Sequence, residues 1–165
     1  MDAMVGHAIK SHGGFVWACK NYDGDVQSDF VAQSFGLSSL MWSVLRSGDG
    51  RKVVSETVHG ALGDQYRRHV EAGHPPDCCP VSTIFAWTRG LSHLAGLEAN
   101  KGLEEFCRTL EGAAVAVVEG GCLTRDLADV CHVKEAVTTE EFVKEVVKEL
   151  DNRLGMGEDS VGVSN

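Results

Sequence analysis

The sequence predicts an α/β layer architecture in which short strands are followed by packed helices. A turn signal of Ser, Gly, Asp and Gly at 47–50 separates two short runs that are typical of strands. In the second half of the chain, apolar side chains recur at helical spacing between Gly and polar breaks. With 165 residues, 43% of them apolar, the chain is long enough to bury one sizeable core.

The start of the chain combines an apolar run with one predicted helix. Residues 14–20 (GFVWACK) are apolar and bounded by glycines, which predicts a buried strand. From Asp25 onward, helical spacing places four apolar residues on one face, namely Val26, Phe30, Val31 and Phe35. Asp25 is expected in the first turn, where a negative charge meets the positive end of the helix dipole, and Gly36 is expected to end the helix.

A β-hairpin and several helices are predicted for the rest of the chain. The hairpin strands are 42–46 and 52–58, and a long loop with a helical piece at 65–71 is expected over 60–80. Helices are predicted at 82–97, 101–119 and 124–130. Thr138 and Glu141 form a capping box before a last helix, whose apolar face is Phe142, Val146, Leu150 and Leu154. On its exposed side Glu140 and Lys144 form an i,i+4 pair, and the tail 155–165 is expected to fray.

Charge and composition exclude several classes of partner. The net charge of -9 argues against nucleic acid and anionic membrane surfaces, because both require clustered cations. Apolar runs such as 112–118 are far shorter than the roughly 18 residues that span a bilayer, so no membrane partner is expected. The first residues lack the pattern of a secretory signal, which predicts an intracellular protein with its six cysteines reduced.

Two groups of residues are candidates for chemistry. Asp25 and Asp29 lie four apart, so on a helix their carboxylates share one face, and oxygen ligands suit Mg²⁺ or Mn²⁺. The alternative is an exposed acidic pair at a helix start. The second group is residues 56–60, in which Gly60 allows close approach of a ligand that His59 could face. The alternative there is a surface-loop histidine.

Three long segments carry a resemblance to a known family. Residues 16–29 (VWACKNYDGDVQSD), the loop 56–60 and residues 83–91 (TIFAWTRGL) resemble, in order and at nearly the right separations, the C-terminal part of eukaryotic NADP-dependent isocitrate dehydrogenase, of the isocitrate/isopropylmalate dehydrogenase family. The resemblance covers about residues 1–154. It implies the C-terminal half of that fold, with 1–35 ending the small domain and 36–154 forming half of the large α/β domain.

The resemblance also implies an activity. That activity is the oxidative decarboxylation of isocitrate to 2-oxoglutarate with reduction of NADP, in which a divalent metal stabilises the enolate formed as CO₂ departs. The implied partners are isocitrate and a second copy of the full-length subunit, in a homodimer. The implied compartment is mitochondrial or cytoplasmic.

Site residues follow from the resemblance position by position. Asp25 and Asp29 match two metal-binding aspartates, Asp2 matches the aspartate lent to the neighbouring subunit's metal, and Lys10 matches a lysine that reaches the neighbour's coenzyme 2′-phosphate. Asp126 is expected near the adenine end of the coenzyme. The coenzyme loop and its flanks supply the remaining coenzyme positions: Glu56, His59, Gly60, Ala61, Leu62, Gly63, Asp64, Gln65 and Cys79.

Departures from the family pattern concern the coenzyme and the catalytic groups. Asp64 and Gln65 stand where the family has the Arg and His that grip the 2′-phosphate, and Cys79 replaces an adenine-contacting Asn, so NAD stays open beside NADP. The family's substrate-gripping arginines, catalytic tyrosine and catalytic lysine all precede the matching segment. The chain alone is therefore expected to be inactive. The alternative is a non-catalytic degenerate paralogue, or an assembly partner that docks on a complete subunit.

Overall fold

The computed structural model describes residues 2–57, 66–67, 70–71, 73 and 77–155. It divides into two compact units, Met1–Phe35 and Gly36–Asn165, each with its own internal packing. The assignment of the two units to the small and large domains of a dehydrogenase stays a prediction.

The first unit consists of two helices, α1 (Asp2–Lys10) and α2 (Asn21–Phe35). Helix α1 has no counterpart among the predicted elements. Helix α2 ends before Gly36 as predicted but begins four residues before Asp25, so that Asp23 is the acidic residue of its first turn. The placement of Asp25 in the first turn was therefore wrong.

The predicted strand at 14–20 is also wrong. These residues form no regular element, and Val16 is 95% exposed. A strand is stable only when its backbone pairs with a neighbour, and the described residues of this unit contain no second strand. The apolar run is therefore an irregular connection between α1 and α2.

The second unit begins with the predicted β-hairpin. Strand β1 (Trp42–Arg46) pairs antiparallel with β2 (Val53–Thr57), with Trp42 opposite Thr57 and Arg46 opposite Val53. The turn closes through a bond from the Ser47 backbone N–H to the Lys52 carbonyl at 2.9 Å. Gly50 adopts a φ of 71°, a left-handed conformation that glycine reaches without strain. The hairpin prediction is confirmed.

Within residues 77–155 the structure contains four helices. They are α3 (Val81–Glu98), α4 (Lys101–Glu119), α5 (Arg125–Val130) and α6 (Thr139–Leu154). The side chain of Asn100 caps α4 by accepting a bond from the Leu103 N–H at 3.0 Å. The capping box of Thr138 and Glu141 is present at the start of α6, as is the Glu140–Lys144 ion pair at 2.7 Å. These predictions are confirmed.

The core of the second unit lies where α4 packs between α3 and α6, while the hairpin covers another face of α3. Phe142 and Val146 of α6 are buried against Ala113 and Ala114 of α4, whose small side chains let the two helices approach closely. The fold is thus mixed α/β and mostly helical, which confirms the predicted class.

Two further expectations concern parts of the chain that the structure describes incompletely. In the predicted helical piece 65–71, residues 66–67 and 70–71 are helical, and the others lie outside the described residues. Of the tail 155–165, only Gly155 is described. Among the described helices, none combines the length and apolar character needed to cross a membrane.

Candidate metal and coenzyme site

The predicted metal ligands Asp25 and Asp29 form an acidic pair on one face of α2. Asp25 and Asp29 lie one helical turn apart and both are exposed. Within the described part of the chain, neither carboxylate has a hydrogen bond or an ion pair. Since α2 begins at Asn21, both lie beyond the first turn, where the helix dipole has little effect. The two negative charges therefore repel each other, and a bound divalent cation would relieve that repulsion. The carboxylate oxygens are donors that fit Mg²⁺ or Mn²⁺.

A close backbone contact fixes the chain just before this pair. The Gly24 N–H bonds to the Lys20 carbonyl at 2.6 Å, and a Cβ at Gly24 would lie 3.0 Å from the Cβ of Cys19. Any larger residue at 24 would force Cys19 away from the helix. Glycine at this position therefore lets residues 19–20 pack against the turn that presents Asp25.

Two further predicted site residues, the metal ligand Asp2 and the coenzyme-binding Lys10, lie on α1. Asp2 is its first residue, and its side chain lies outside the described part of the structure, whereas Lys10 is its last residue and is exposed. Over the described residues, no group of three or more His, Cys, Asp or Glu side chains is arranged to hold a metal ion. A metal ion bound by the two aspartates of α2 would therefore need further oxygen ligands from water, substrate or another chain.

The predicted coenzyme loop is described only at its beginning. Glu56 lies near the end of β2, is exposed, and accepts a hydrogen bond from the Ser43 hydroxyl of β1 at 3.1 Å. The positions that follow lie outside the described residues; they are His59, Gly60, Ala61, Leu62, Gly63, Asp64 and Gln65. The role of this loop stays a prediction.

Two of the predicted coenzyme positions, Cys79 and Asp126, are in direct contact. The Cys79 N–H donates to Asp126 Oδ2 at 3.1 Å, and the Thr124 hydroxyl donates to Asp126 Oδ1 at 2.6 Å. The Cys79 side chain is 3% exposed, and burial raises the pKa of its thiol to about 11. It is therefore a neutral core residue that offers no charge to a bound nucleotide, whereas Asp126 is half-buried and ionisable.

A second contact on the same segment escaped the sequence analysis. The Cys78 N–H donates to the Thr139 hydroxyl at 3.0 Å, and that hydroxyl donates to the Cys78 carbonyl at 3.0 Å. The Thr139 N–H donates in turn to Asp77 Oδ1 at 3.1 Å. The available signal was the Thr-Thr pair at 138–139, of which the capping box uses only the first residue.

The thiol of Cys78 lies in an acidic environment. Its pKa is raised above the ordinary value, first by burial and then by the negative charges of Asp126 and Asp77. Residues 77–80 therefore combine two protonated thiols with two nearby carboxylates. This segment, called the 77–80 segment below, leads directly into α3.

Comparison with known proteins relates both parts of the site to one family. A family model described as isocitrate/isopropylmalate dehydrogenase matches residues 1–146. An isocitrate dehydrogenase [NADP] of Glycine max is 47% identical over 159 residues, which are 93% of this chain and 38% of that protein. A mitochondrial isocitrate dehydrogenase [NADP] of Sus scrofa is 46% identical over 162 residues, 94% of this chain and 38% of that protein.

A third relative is named for the cytosol, whereas the Sus scrofa relative is named for the mitochondrion. It is a cytosolic isocitrate dehydrogenase [NADP] of Arabidopsis thaliana, 47% identical over 159 residues, which are 93% of this chain and 38% of that protein. The chain thus spans somewhat more than a third of the length of these curated relatives.

Proposed function

The chain belongs to the isocitrate/isopropylmalate dehydrogenase family, and from that premise we propose that it supplies metal-binding and coenzyme-binding elements of an NADP-dependent isocitrate dehydrogenase. It corresponds to the C-terminal portion of such an enzyme, with residues 1–35 in the small domain and 36–154 in the large domain. The reaction is the oxidative decarboxylation of isocitrate to 2-oxoglutarate. The compartment is the mitochondrion or the cytoplasm.

The single observation that carries the metal part of this proposal is the acidic pair of α2, whose carboxylates have no hydrogen-bond or ion-pair partner among the described residues. Asp25 and Asp29 supply two hard oxygen donors and two negative charges from one rigid helix, and Asp2 of a second copy adds a third. A Mg²⁺ or Mn²⁺ ion held there would polarise the oxygen of isocitrate from which the enolate develops. The chain's own residues hold and orient the cation, and they move no proton.

The coenzyme part of the proposal rests on β2, the 56–65 loop and the 77–80 segment. Glu56 and His59 are coenzyme-side residues of the loop, Lys10 reaches the 2′-phosphate bound by the neighbouring copy, and Asp126 and Cys79 lie at the adenine end. At the 2′-phosphate Asp64 adds a negative charge. Two like unit charges about 4 Å apart repel by roughly 4 kcal/mol at an effective dielectric near 20, before salt reduces it. NAD therefore competes with NADP at this site.

A second copy as partner is supported by the surface of the first unit. A groove of about 730 Å³ runs between α1 and α2 and is lined mainly by apolar side chains, among them Val5, Ile9, Val26 and Phe30. Val26 and Phe30 are each 57% exposed. An apolar groove of this size on a small two-helix unit is typical of a surface that another chain covers. In the proposed homodimer, the same association brings Asp2 and Lys10 to the neighbour's site.

The acid and base steps need residues outside this sequence. Hydride leaves the alcohol carbon for the nicotinamide, CO₂ departs, and the enolate must then be reprotonated by a group within about 3 Å of it. The resemblance carries the family's substrate arginines, tyrosine and lysine onto no position of the chain. Turnover therefore requires a complete subunit.

The metal assignment is tested in a complete subunit, made by joining this chain to the remainder of the Glycine max relative. Asp29→Asn keeps the shape of the side chain and removes one negative charge, so Mn²⁺ affinity should fall about tenfold or more. Asp23→Asn is the matched control, since it removes the same charge from the first turn of the same helix. A Mn²⁺ titration that Asp29→Asn leaves unchanged, or that both variants weaken equally, would refute the assignment.

A second candidate function is a non-catalytic paralogue or an assembly partner of a complete subunit. Asp64, Gln65 and Cys79 favour it, because all three depart from the family's coenzyme positions. Asp2, Asp25 and Asp29 oppose it, because a chain without catalysis has no need of metal ligands. Binding of Mn²⁺ by the complete subunit without binding of either dinucleotide would favour this second function.

A further inference from the structure

We propose that Thr139 is a positioning residue for the coenzyme, because its hydroxyl fixes the backbone of the 77–80 segment at the start of α6. The inference rests on the proposed function, which assigns Cys79 to the adenine end of the coenzyme site. It adds a residue from a helix with no other assigned part in the site.

The Thr139 side chain forms two hydrogen bonds with the backbone of Cys78. Its hydroxyl accepts from the Cys78 N–H and donates to the Cys78 carbonyl, both at 3.0 Å, so one side chain satisfies both main-chain groups of one residue. The two residues are 61 positions apart in sequence. Both are half-buried, so water competes only in part for these bonds.

A third hydrogen bond, from the backbone of Thr139 to the side chain of Asp77, also joins α6 to the 77–80 segment. The Thr139 N–H is one of the first N–H groups of α6, which have no partner within the helix. It donates to Asp77 Oδ1 at 3.1 Å, so the segment caps the helix while the helix holds the segment. A carboxylate at a helix N-terminus is also favoured by the helix dipole.

Asp126 anchors the next residue. Its carboxylate accepts the Cys79 N–H at 3.1 Å, so the consecutive amides of Cys78 and Cys79 bond to side chains at the starts of two different helices. The segment then enters α3 through Pro80, which makes no side-chain cap of its own. The two anchors therefore determine where Cys79 and the first turn of α3 lie.

The adjacent threonine provides an internal control. Thr138 is the N-cap of α6, and its hydroxyl and backbone are used by Glu141 in the capping box. Its bonds stay within the first turn of α6 and do not reach the 77–80 segment. A change at Thr138 therefore weakens the helix start, whereas a change at Thr139 also frees the segment.

The test uses the complete subunit and three variants. Thr139→Val keeps the shape and removes the hydroxyl, which leaves the Cys78 N–H and carbonyl without their partner; the KM for the dinucleotide should rise about tenfold. The kcat should stay within about twofold of wild type, because the substrate and metal groups are untouched. Thr139→Ser retains the hydroxyl and should restore the wild-type KM. Thr138→Val should lower the Tm but leave that KM unchanged.

A second measurement tests the hydrogen bonds between Thr139 and Cys78 directly in the 165-residue chain. Hydrogen exchange at the Cys78 amide should be faster in Thr139→Val than in wild type and unchanged in Thr138→Val. The proposal is overturned by a wild-type KM in Thr139→Val, by an equal rise in Thr138→Val, or by unchanged exchange at Cys78. If neither NADP nor NAD binds the wild-type complete subunit, the proposed function itself fails, and this inference fails with it.

Discussion

Glu111 of α4 joins three parts of the second unit, which makes it a sharp test of the packing. One of its carboxylate oxygens accepts the Thr88 hydroxyl at 2.6 Å, and the other accepts the Arg89 guanidinium at 2.9 Å. The Arg89 guanidinium lies 5.0 Å from the ring centre of Trp42 in β1. The hairpin, α3 and α4 are thus connected through one carboxylate that is largely buried.

The cost of removing this carboxylate can be worked from its partners. A hydrogen bond to a charged group contributes about 1.5–3 kcal/mol to stability. Thr88 retains its bond to the Phe85 carbonyl at 3.1 Å, and Arg89 is exposed enough to be rehydrated, so both losses fall at or below the low end. Glu111→Ala should therefore lower the free energy of unfolding by about 2 kcal/mol.

The assay is urea denaturation of the chain followed by far-UV circular dichroism. Glu105→Ala is the matched control, because Glu105 lies on the same helix and its ion pair with Arg108 is exposed. The control should leave the free energy of unfolding almost unchanged. Equal midpoints for Glu111→Ala and wild type, or an equal loss in both variants, would show that the Glu111 carboxylate does not stabilise the packing of α3 on α4.

Three further predictions concern the coenzyme, pH and the core. In the complete subunit, Asp64→Ala combined with Gln65→Ala should increase the affinity for NADP relative to NAD; an NADP preference that is already strong and survives both changes would contradict the assigned loop. Because burial raises the Cys79 pKa to about 11 from 9.0, the unfolded chain loses that proton first. The free energy of unfolding should therefore fall as pH rises from about 9 to about 11, and urea titrations should show a smaller fall in Cys79→Ala. Phe142→Ala should cost about 3–5 kcal/mol in the same denaturation assay, since this ring is fully buried, and a loss below about 1 kcal/mol would contradict the described core.

The elements that the sequence predicted correctly are those that local interactions determine. The Ser47–Gly50 turn requires a left-handed glycine, and the Thr138–Glu141 box satisfies helix N–H groups within one turn. Both signals are complete within a few residues. The predicted helix 101–119 also has the observed bounds, because Asn100 caps it and Gly120 follows it.

The errors occurred where composition and apolar periodicity do not report the contacts that decide the structure. The apolar run 14–20 has the composition of a strand, but the described residues of its unit contain no neighbouring strand to pair with. The strand predicted from composition alone was therefore wrong. Helix α2 extends to Asn21 through a turn in which Gly24 packs on Cys19, a contact that periodicity does not report. Helix α1 has only nine residues, fewer than the span over which a helical apolar pattern can be recognised, and it was not predicted.

For the site too, features that depend on local geometry were predicted and contacts between distant residues were not. The spacing of Asp25 and Asp29 was enough to predict one helical face, since that depends only on helix geometry. The bonds that join Cys78 to Thr139 and Cys79 to Asp126 span 61 and 47 residues, and no short-range pattern predicts them. The family resemblance named Asp126 but gave no reason to select Thr139.

The most direct test of the account is turnover of isocitrate by the complete subunit and by this chain alone. Each is assayed with isocitrate, Mn²⁺ and either NADP or NAD, after sizing to obtain a monodisperse sample. The prediction is reduction of the dinucleotide and formation of 2-oxoglutarate by the complete subunit and none by the 165-residue chain. Robust turnover by the chain alone, or no turnover by a complete subunit that binds both Mn²⁺ and a dinucleotide, would contradict it.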